Sequence, residues 1–148
     1  MQEYPPRRRG GHERVRRGAA AVEFAVVAPL FFLLLAGIIE FGQAFRIEHT
    51  LSSAARRGAR TATVDGTTAS QVVQKTKTYC SRTLGVNASS VTVEVAVNGN
   101  SNGDLSQAGE GGEIAVTVSI PFSEAGVGFF ANTFSKAVLS STCTMEHE

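Results

Sequence analysis

Glu23 is an acidic residue near the start of a long apolar run. From Ala19 to Phe41 the only charged residues are Glu23 and Glu40. A carboxylate costs about 2.5–3.5 kcal/mol at the centre of a membrane-spanning helix, and less near the end of the span. Glu23 therefore needs compensation. It either lies at headgroup depth, where the positive end of the helix dipole favours an anion, or pairs with a cation.

Residue types that carry out catalysis are present but scattered. His12, His49 and His147 lie in the basic N-terminal segment, on a predicted helix and at the C-terminal end, so they define no triad around a nucleophile. The glycines at 109–112 lack the Lys-Ser/Thr of a phosphate-binding loop, and no Cys-x-x-Cys or zinc-type spacing occurs. We therefore predict a protein that is not an enzyme and that holds no cofactor or metal.

The apolar run is long enough to cross a membrane, because about 20 residues rising ~1.5 Å each span roughly 30 Å. A helix buried in so small a domain would seldom be apolar on every face. Residues 1–18 carry a net charge of +4 and the rest of the chain carries −3. Since short basic flanks stay cytoplasmic, we predict a single-pass protein with its N-terminus inside and its C-terminal domain outside. The six arginines before the run are Arg7, Arg8, Arg9, Arg14, Arg16 and Arg17. Binding of nucleic acid by these arginines is disfavoured, because no aromatic residues alternate with them.

Gly18 and Glu23 form a pattern with the residues around them. Gly18 follows Arg16-Arg17, four small or apolar residues come next, and Glu23-Phe24 opens the apolar stretch. This pattern resembles the type IV prepilin processing site. The stretch AAAVEFAVVAPLFFLLLAGIIEFGQAF, followed by SSAARRGAR, more specifically resembles the TadE-like pseudopilins of tight-adherence (Tad, or Flp) pilus systems.

The resemblance implies a processing step and a set of partners. A prepilin peptidase would cut between Gly18 and Ala19, and Glu23 would then pair with the new α-amino group of a neighbouring subunit. The protein would be a minor pseudopilin of the bacterial inner membrane, used in adhesion or secretion. Its partners would be the peptidase, other pilins and pseudopilins, the Tad inner-membrane assembly platform and membrane lipid, with no nucleic acid.

Two other interpretations of the N-terminal region remain open. In the first, Gly42-Gln43-Ala44 is the cleavage site of an ordinary secretory signal, although the apolar run exceeds the usual signal core. In the second, the span is never cleaved and anchors a periplasmic binding domain. The mature N-terminus distinguishes the three, since it would be Ala19, Phe45 or near Met1.

The helix that carries the apolar run is predicted to begin near Arg17–Ala19 and to continue beyond the membrane to about Ala62. Pro29 removes a backbone donor and is predicted to kink it. The apolar face then narrows to a stripe at helical spacing, with the charged residues on the other side. The stripe consists of Phe41, Phe45, Leu51, Ala55 and Ala59, and Asp65-Gly66 ends the helix.

A small α+β domain is predicted after this helix. A second helix runs from Thr68 or Ala69 to Leu84 and is capped by Gly85. Three stretches with alternating apolar residues, 91–97, 113–120 and 137–145, predict an antiparallel sheet whose apolar face the helices cover. The pilin-like chain thus divides into a leader (1–18), a membrane helix (19–41), its continuation (42–64) and a periplasmic or extracellular domain (65–148).

The remaining candidates lie in this domain. Cys80 and Cys143 are the only cysteines, and in an oxidising compartment an even count favours a disulfide, with two buried free thiols as the alternative. Asp104 and Glu110 could bind calcium, but segment 98–113 lacks the regular acidic spacing of calcium loops, so a mobile hairpin loop is predicted. The phenylalanines of Pro121–Phe130, with Phe134, are predicted to cap the core in preference to forming a binding patch.

Overall fold

The computed structural model describes residues 11–101, 104–125 and 136–147, with side chains from Gly18 onward. Three helices and three strands are present in the described residues, so the predicted α+β fold is confirmed. The helices are α1 (Gly11–Ala62), α2 (Ala69–Leu84) and α3 (Phe122–Ala125), and the strands are β1 (Thr92–Val97), β2 (Glu113–Pro121) and β3 (Val138–Glu146). Short 3-10 turns cover Ala88–Ser90 and Leu105–Gln107.

Helix α1 begins earlier than predicted. It starts at Gly11 instead of near Arg17–Ala19 and remains helical through Pro29. Between His12 and Ala28 the sequence contains no proline, and arginine is a good helix former, so nothing in this stretch stops the helix. The chain divides into two compact units, one ending at Ile38 and one running from Ile39 onward.

Helix α2 follows the predicted boundaries because both of its ends are capped. The Thr68 hydroxyl accepts from the backbone N–H of Gln71, and the Gln71 side chain accepts in turn from the N–H of Thr68. This reciprocal capping box satisfies two backbone donors that the helix itself leaves unpaired. Gly85 ends α2 in the left-handed region, at φ +71°, where glycine is favoured.

The strands form one antiparallel sheet in the order β1-β2-β3. Val95 of β1, Val116 of β2 and Cys143 of β3 lie side by side across it. Because side chains alternate between the faces of a strand, one face carries the predicted apolar residues and packs against the helices. The buried residues of this face in β1 and β2 are Val93, Val95, Val97, Ile114, Val116, Val118 and Ile120.

The face of α1 that packs under this sheet differs from the predicted stripe at its start. Phe41 and Phe45 are 70% and 61% exposed, whereas Glu40 is only 8% exposed. The buried face then continues mostly through small residues, which let the sheet approach the helix closely: it comprises Ile47, Leu51, Ala54, Ala55, Gly58, Ala59 and Ala62. The prediction was correct from Leu51 onward and wrong for the two phenylalanines.

The connection between β1 and β2 is packed in its described part, in contrast to the predicted mobile loop. Leu105 and Ala108 are buried in the core. The N–H of Gly111 donates to the carbonyl of His147, and the N–H of His147 donates to the carbonyl of Gly112. These bonds tie the loop to the end of β3.

The aromatic connection after β2 is only partly covered by the structure. Phe122 is buried, as predicted for a residue that caps the core. Phe129, Phe130 and Phe134 lie outside the described residues.

Candidate processing and assembly site

Gly18, Ala19 and Glu23 lie close together along α1 and are all exposed. A Cβ placed on Gly18 would have no atom within 4 Å, so the backbone there is open to approach. Ala19 and Glu23 are separated by four residues, which puts them on the same helix face. Among the side chains that the structure describes, none forms an ion pair with Glu23.

The apolar side chains that follow Glu23 are uncovered. Phe24 is 72% exposed, and most of the leucines, isoleucines and phenylalanines as far as Ile39 remain exposed to a similar extent. The most apolar 18-residue window has a mean hydropathy of 2.5 and no buried residue, and it lies in the one described helix that is long and apolar enough to cross a membrane. A single such helix near the N-terminus fits a single-pass membrane protein.

The stretch of α1 that contains Gly18, Glu23 and the apolar residues is similar to a known protein family. Residues 18–60 match the family model described as TadE-like protein. The chain carries a TadE-like domain. The match begins at Gly18 and ends at Arg60, so it includes Glu23, the whole apolar stretch and most of the α1 face under the sheet, but neither α2 nor any strand. No curated protein matches the chain, and no solved structure does.

The TadE-like domain confirms the predicted resemblance and indicates a component of the Tad pilus system. It suggests interaction with other components of that pilus. Cleavage after Gly18, the pairing of Glu23 and a kink at Pro29 remain predictions.

A surface of α1 within the second unit was missed by the sequence analysis. Arg46, Ser53, Arg56, Arg57 and Arg60 are all exposed and recur at helical spacing on the side opposite the buried face. We call these five residues the basic face. Open grooves of about 280 and 340 Å³ flank it and share Arg57, Arg60 and Tyr79 in their linings. The signal in the sequence was the spacing of arginines, which was interpreted only as a solvated side.

Two contacts fix side chains of the basic face. The guanidinium carbon of Arg57 lies 4.6 Å from the centre of the Tyr79 ring, which is cation–π geometry. Arg56 donates to the Ser52 hydroxyl at 3.2 Å. In the part of the chain that the structure describes, none of the four arginines is within ion-pair distance of a carboxylate.

The two cysteines are free thiols in the structure, so the predicted disulfide is not confirmed. Cys80 is buried on α2, and burial raises the pKa of its thiol to about 11. Cys143 is half-buried on β3. Helix α2 packs against β1, which lies on the other side of β2 from β3. Cys143 therefore lies on the strand farthest from β1, the strand against which α2 packs.

Asp104, one of the two acidic residues considered for calcium binding, has a structural role in the β1–β2 connection. The Asp104 carboxylate accepts from the N–H of Ser106 at 3.2 Å and caps a 3-10 turn. Nearby, His147 Nε2 lies 3.6 Å from the exposed carboxylate of Asp65. No group of three or more His, Cys, Asp or Glu residues within the described ranges is arranged to hold a metal ion.

Proposed function

We propose that this chain is a minor pseudopilin of a Tad/Flp-type pilus, processed by a prepilin peptidase between Gly18 and Ala19. The observation that carries the proposal is the TadE-like match over residues 18–60, which begins at Gly18 and contains Glu23. Its role is structural, in pilus assembly, and not enzymatic. The partners are the peptidase, the other pilins and pseudopilins, and the assembly platform of the inner membrane.

The proposed processing step creates a charge that Glu23 can use. Cleavage leaves a new α-amino group on Ala19, one helical turn from the Glu23 carboxylate. In a low-dielectric helix bundle an unpaired charge is penalised, and opposite charges attract far more strongly than in water. Glu23 would then set the register between neighbouring helices.

The apolar surface supplies the rest of the association. Apolar helices in a membrane associate through van der Waals packing, because lipid is as apolar as their side chains. The uncovered residues from Phe24 to Ile39 provide such a surface first to lipid and then to neighbouring subunits. The arginines before the span hold the N-terminus in the cytoplasm, so the domain that follows is exported.

The mature N-terminus tests the processing step. Mass spectrometry of protein purified from its native host is expected to show a chain that begins at Ala19, and the full-length chain is expected when the candidate peptidase is deleted. A chain beginning at Phe45 would identify a secretory signal, and one beginning near Met1 would identify an uncleaved anchor. Either result overturns the proposal.

The role of Glu23 is tested separately from processing. Glu23→Ala is expected to insert in the membrane normally but to disappear from the sheared pilus fraction. Glu48→Ala is the matched control, because Glu48 is an exposed glutamate on the same helix beyond the apolar run. Equal recovery of the two variants from the pilus fraction would refute the assembly role of Glu23.

A further inference from the structure

The second unit has an uneven distribution of charge between its helices and its sheet. From Ile39 to Leu84, which covers the two long helices, there are seven basic and three acidic residues. From Gly85 to His147, which covers the strands and their connections, there are one basic and six acidic residues. The helical part thus carries +4 and the strand part −5, and three of the acidic residues of the strand part, Glu94, Glu113 and Glu146, lie on the strands themselves.

The outer face of the sheet is acidic. Its strand positions are occupied by small or hydroxyl-bearing residues, by one proline and one valine, and by three glutamates, with no lysine or arginine. Glu113 and Glu146 lie directly opposite each other on β2 and β3. Like charges in directly opposed positions of a sheet destabilise it. No cation of the described residues lies within ion-pair distance of either glutamate.

The basic face of α1 carries a pair of positive charges that could meet the Glu113–Glu146 pair. Arg56 and Arg60 are exposed at an i,i+4 spacing, where like charges also destabilise each other. Their Cα atoms are about 6 Å apart along the helix axis, and those of a directly opposed strand pair such as Glu113 and Glu146 are about 4.5–5.5 Å apart. The two pairs are therefore opposite in sign and similar in spacing. None of these four residues forms an ion pair within the described residues, although Arg60 and Glu146 line the same open groove.

We propose that the acidic outer face of the sheet of one copy docks on the basic face of α1 of a second copy, with Glu113 and Glu146 meeting Arg56 and Arg60. The inference rests on the proposed function, in which subunits associate through their apolar helices, and it names the surfaces through which two copies of this chain would meet. Within one copy, Arg60 and Glu146 line a common groove near the end of β3, so the basic face and the outer face of the sheet approach each other there.

The size of the contact makes it dependent on the apolar helices. Three strands about 4.8 Å apart, with a rise of ~3.3 Å per residue, offer roughly 300 Å² per partner, against about 800 Å² in a standard interface. Contact between free domains would be weak. Copies already held together by their apolar segments have a high effective concentration, which makes a weak second contact sufficient.

Photo-crosslinking of the full chain in its native membrane tests the contact. Benzoylphenylalanine in place of Ser53 puts the probe within the basic face. Irradiation is expected to give a covalent dimer whose crosslinked peptide comes from the outer face of β2 or β3. Arg56→Glu with Arg60→Glu is expected to lower the dimer yield about tenfold. Adding Glu113→Lys and Glu146→Lys, which swaps the charges, is expected to restore it.

A matched control removes the same amount of positive charge elsewhere. Lys77→Glu with Arg82→Glu changes two basic residues of α2 that line neither groove, and it should leave the yield unchanged. Crosslinking to lipid, to a different protein, or to the α1 helix of the second copy overturns the proposal. So does a dimer that is insensitive to the charge reversal.

The pilus fraction separates failure of this contact from failure of the proposed function. If the protein is recovered in the pilus fraction but the crosslink does not form, the contact alone is wrong. If the protein is missing from that fraction and no crosslink forms, the pseudopilin function fails and the contact fails with it.

Discussion

Gly58 of α1 and Thr76 of α2 meet where there is no room for another side chain: a Cβ on Gly58 would lie 2.9 Å from Thr76 Oγ1 and 3.0 Å from Val116 Cγ1. Thr76 and Val116 are both buried, so neither can move away freely. The glycine thus fixes the distance between the two helices and the sheet.

Gly58→Ala is expected to lower the free energy of unfolding of the second unit by about 1 kcal/mol. Overpacking typically costs ~1–3 kcal/mol, and alanine regains up to ~1 kcal/mol of helix propensity. The measurement is urea denaturation of the full-length protein in detergent. Unfolding is followed by thiol labelling of Cys80, and every variant also carries Cys143→Ser so that Cys80 is the only thiol.

Gly42→Ala provides the control, because no atom lies within 4 Å of its added Cβ. It is expected to be neutral or to stabilise the helix by up to ~1 kcal/mol. If the two alanine variants are equally stable, the close approach at Gly58 is not a packing constraint.

Cys80 is expected to resist alkylation at neutral pH, while Cys143 reacts. The thiolate is the reactive form, and Cys80 is both inaccessible and shifted, since burial raises its pKa from 9.0 to about 11. Mass spectrometry after timed maleimide exposure, without reductant, distinguishes the two thiols. A protein that takes up no label even when denatured would instead contain the disulfide predicted from the sequence.

The same raised pKa gives a pH dependence of stability with a definite sign. Above pH 9 the unfolded state loses the Cys80 proton while the folded state keeps it, so the stabilisation is complete below pH 9 and is lost as pH rises toward 11. The loss should be about 2–3 kcal/mol. Other groups titrate in this range, so the quantity to measure is the difference between Cys143→Ser and Cys143→Ser/Cys80→Ala. If the free energy of unfolding of the two variants changes with pH in parallel, the contribution of Cys80 to the pH dependence is refuted.

Thr68→Ala is expected to destabilise the second unit by about 1 kcal/mol, because the N-cap hydroxyl is lost from the capping box of α2. Thr78→Ala, on the exposed side of the same helix, serves as the reference and should be neutral or slightly stabilising. Urea denaturation of both variants makes the comparison. An equal effect at positions 68 and 78 would contradict the capping role.

Arg57 and Tyr79 are expected to show a coupling energy of about 0.5–1 kcal/mol in a double-mutant cycle. The cycle uses Arg57→Gln and Tyr79→Leu, since each removes one partner of the contact at 4.6 Å. Tyr79→Phe keeps an aromatic ring and should preserve most of the coupling. Additive single variants would mean that the ring and the guanidinium lie together without stabilising each other.

The sequence predicted best the elements that carry local signals. The alternation of valines in β1 and β2 correctly predicted which side chains face the core. Thr68 and Gly85 marked the ends of α2, because capping depends on neighbouring residues only. Gly18 and Glu23 were selected as candidates on a similarly local pattern, which is contained in a few consecutive residues. Their roles require partners, so they stay predictions.

The errors arose where the pattern was uniform or where distant residues decide. At the end of the apolar run nearly every side chain is apolar, so the sequence could not show which side of the helix turns inward, and Phe41 and Phe45 were placed on the wrong one. Leu105 and Ala108 are isolated apolar residues in a polar segment, and only the three-dimensional fold brings them to the core. The outward direction of Arg56 and Arg60 became clear only once the inward face was fixed.

The inward face of α1 also determines how this protein can be divided in the laboratory. A fragment that begins after Ala62 would lack the helix on which β2 rests and would expose Val116 and its neighbours to solvent, where they would drive precipitation. A soluble fragment therefore has to keep the helix from about Glu40 onward, even though that stretch directly follows the most apolar segment of the chain. Trimming further toward Ile47 removes the first contacts of the domain's own interior.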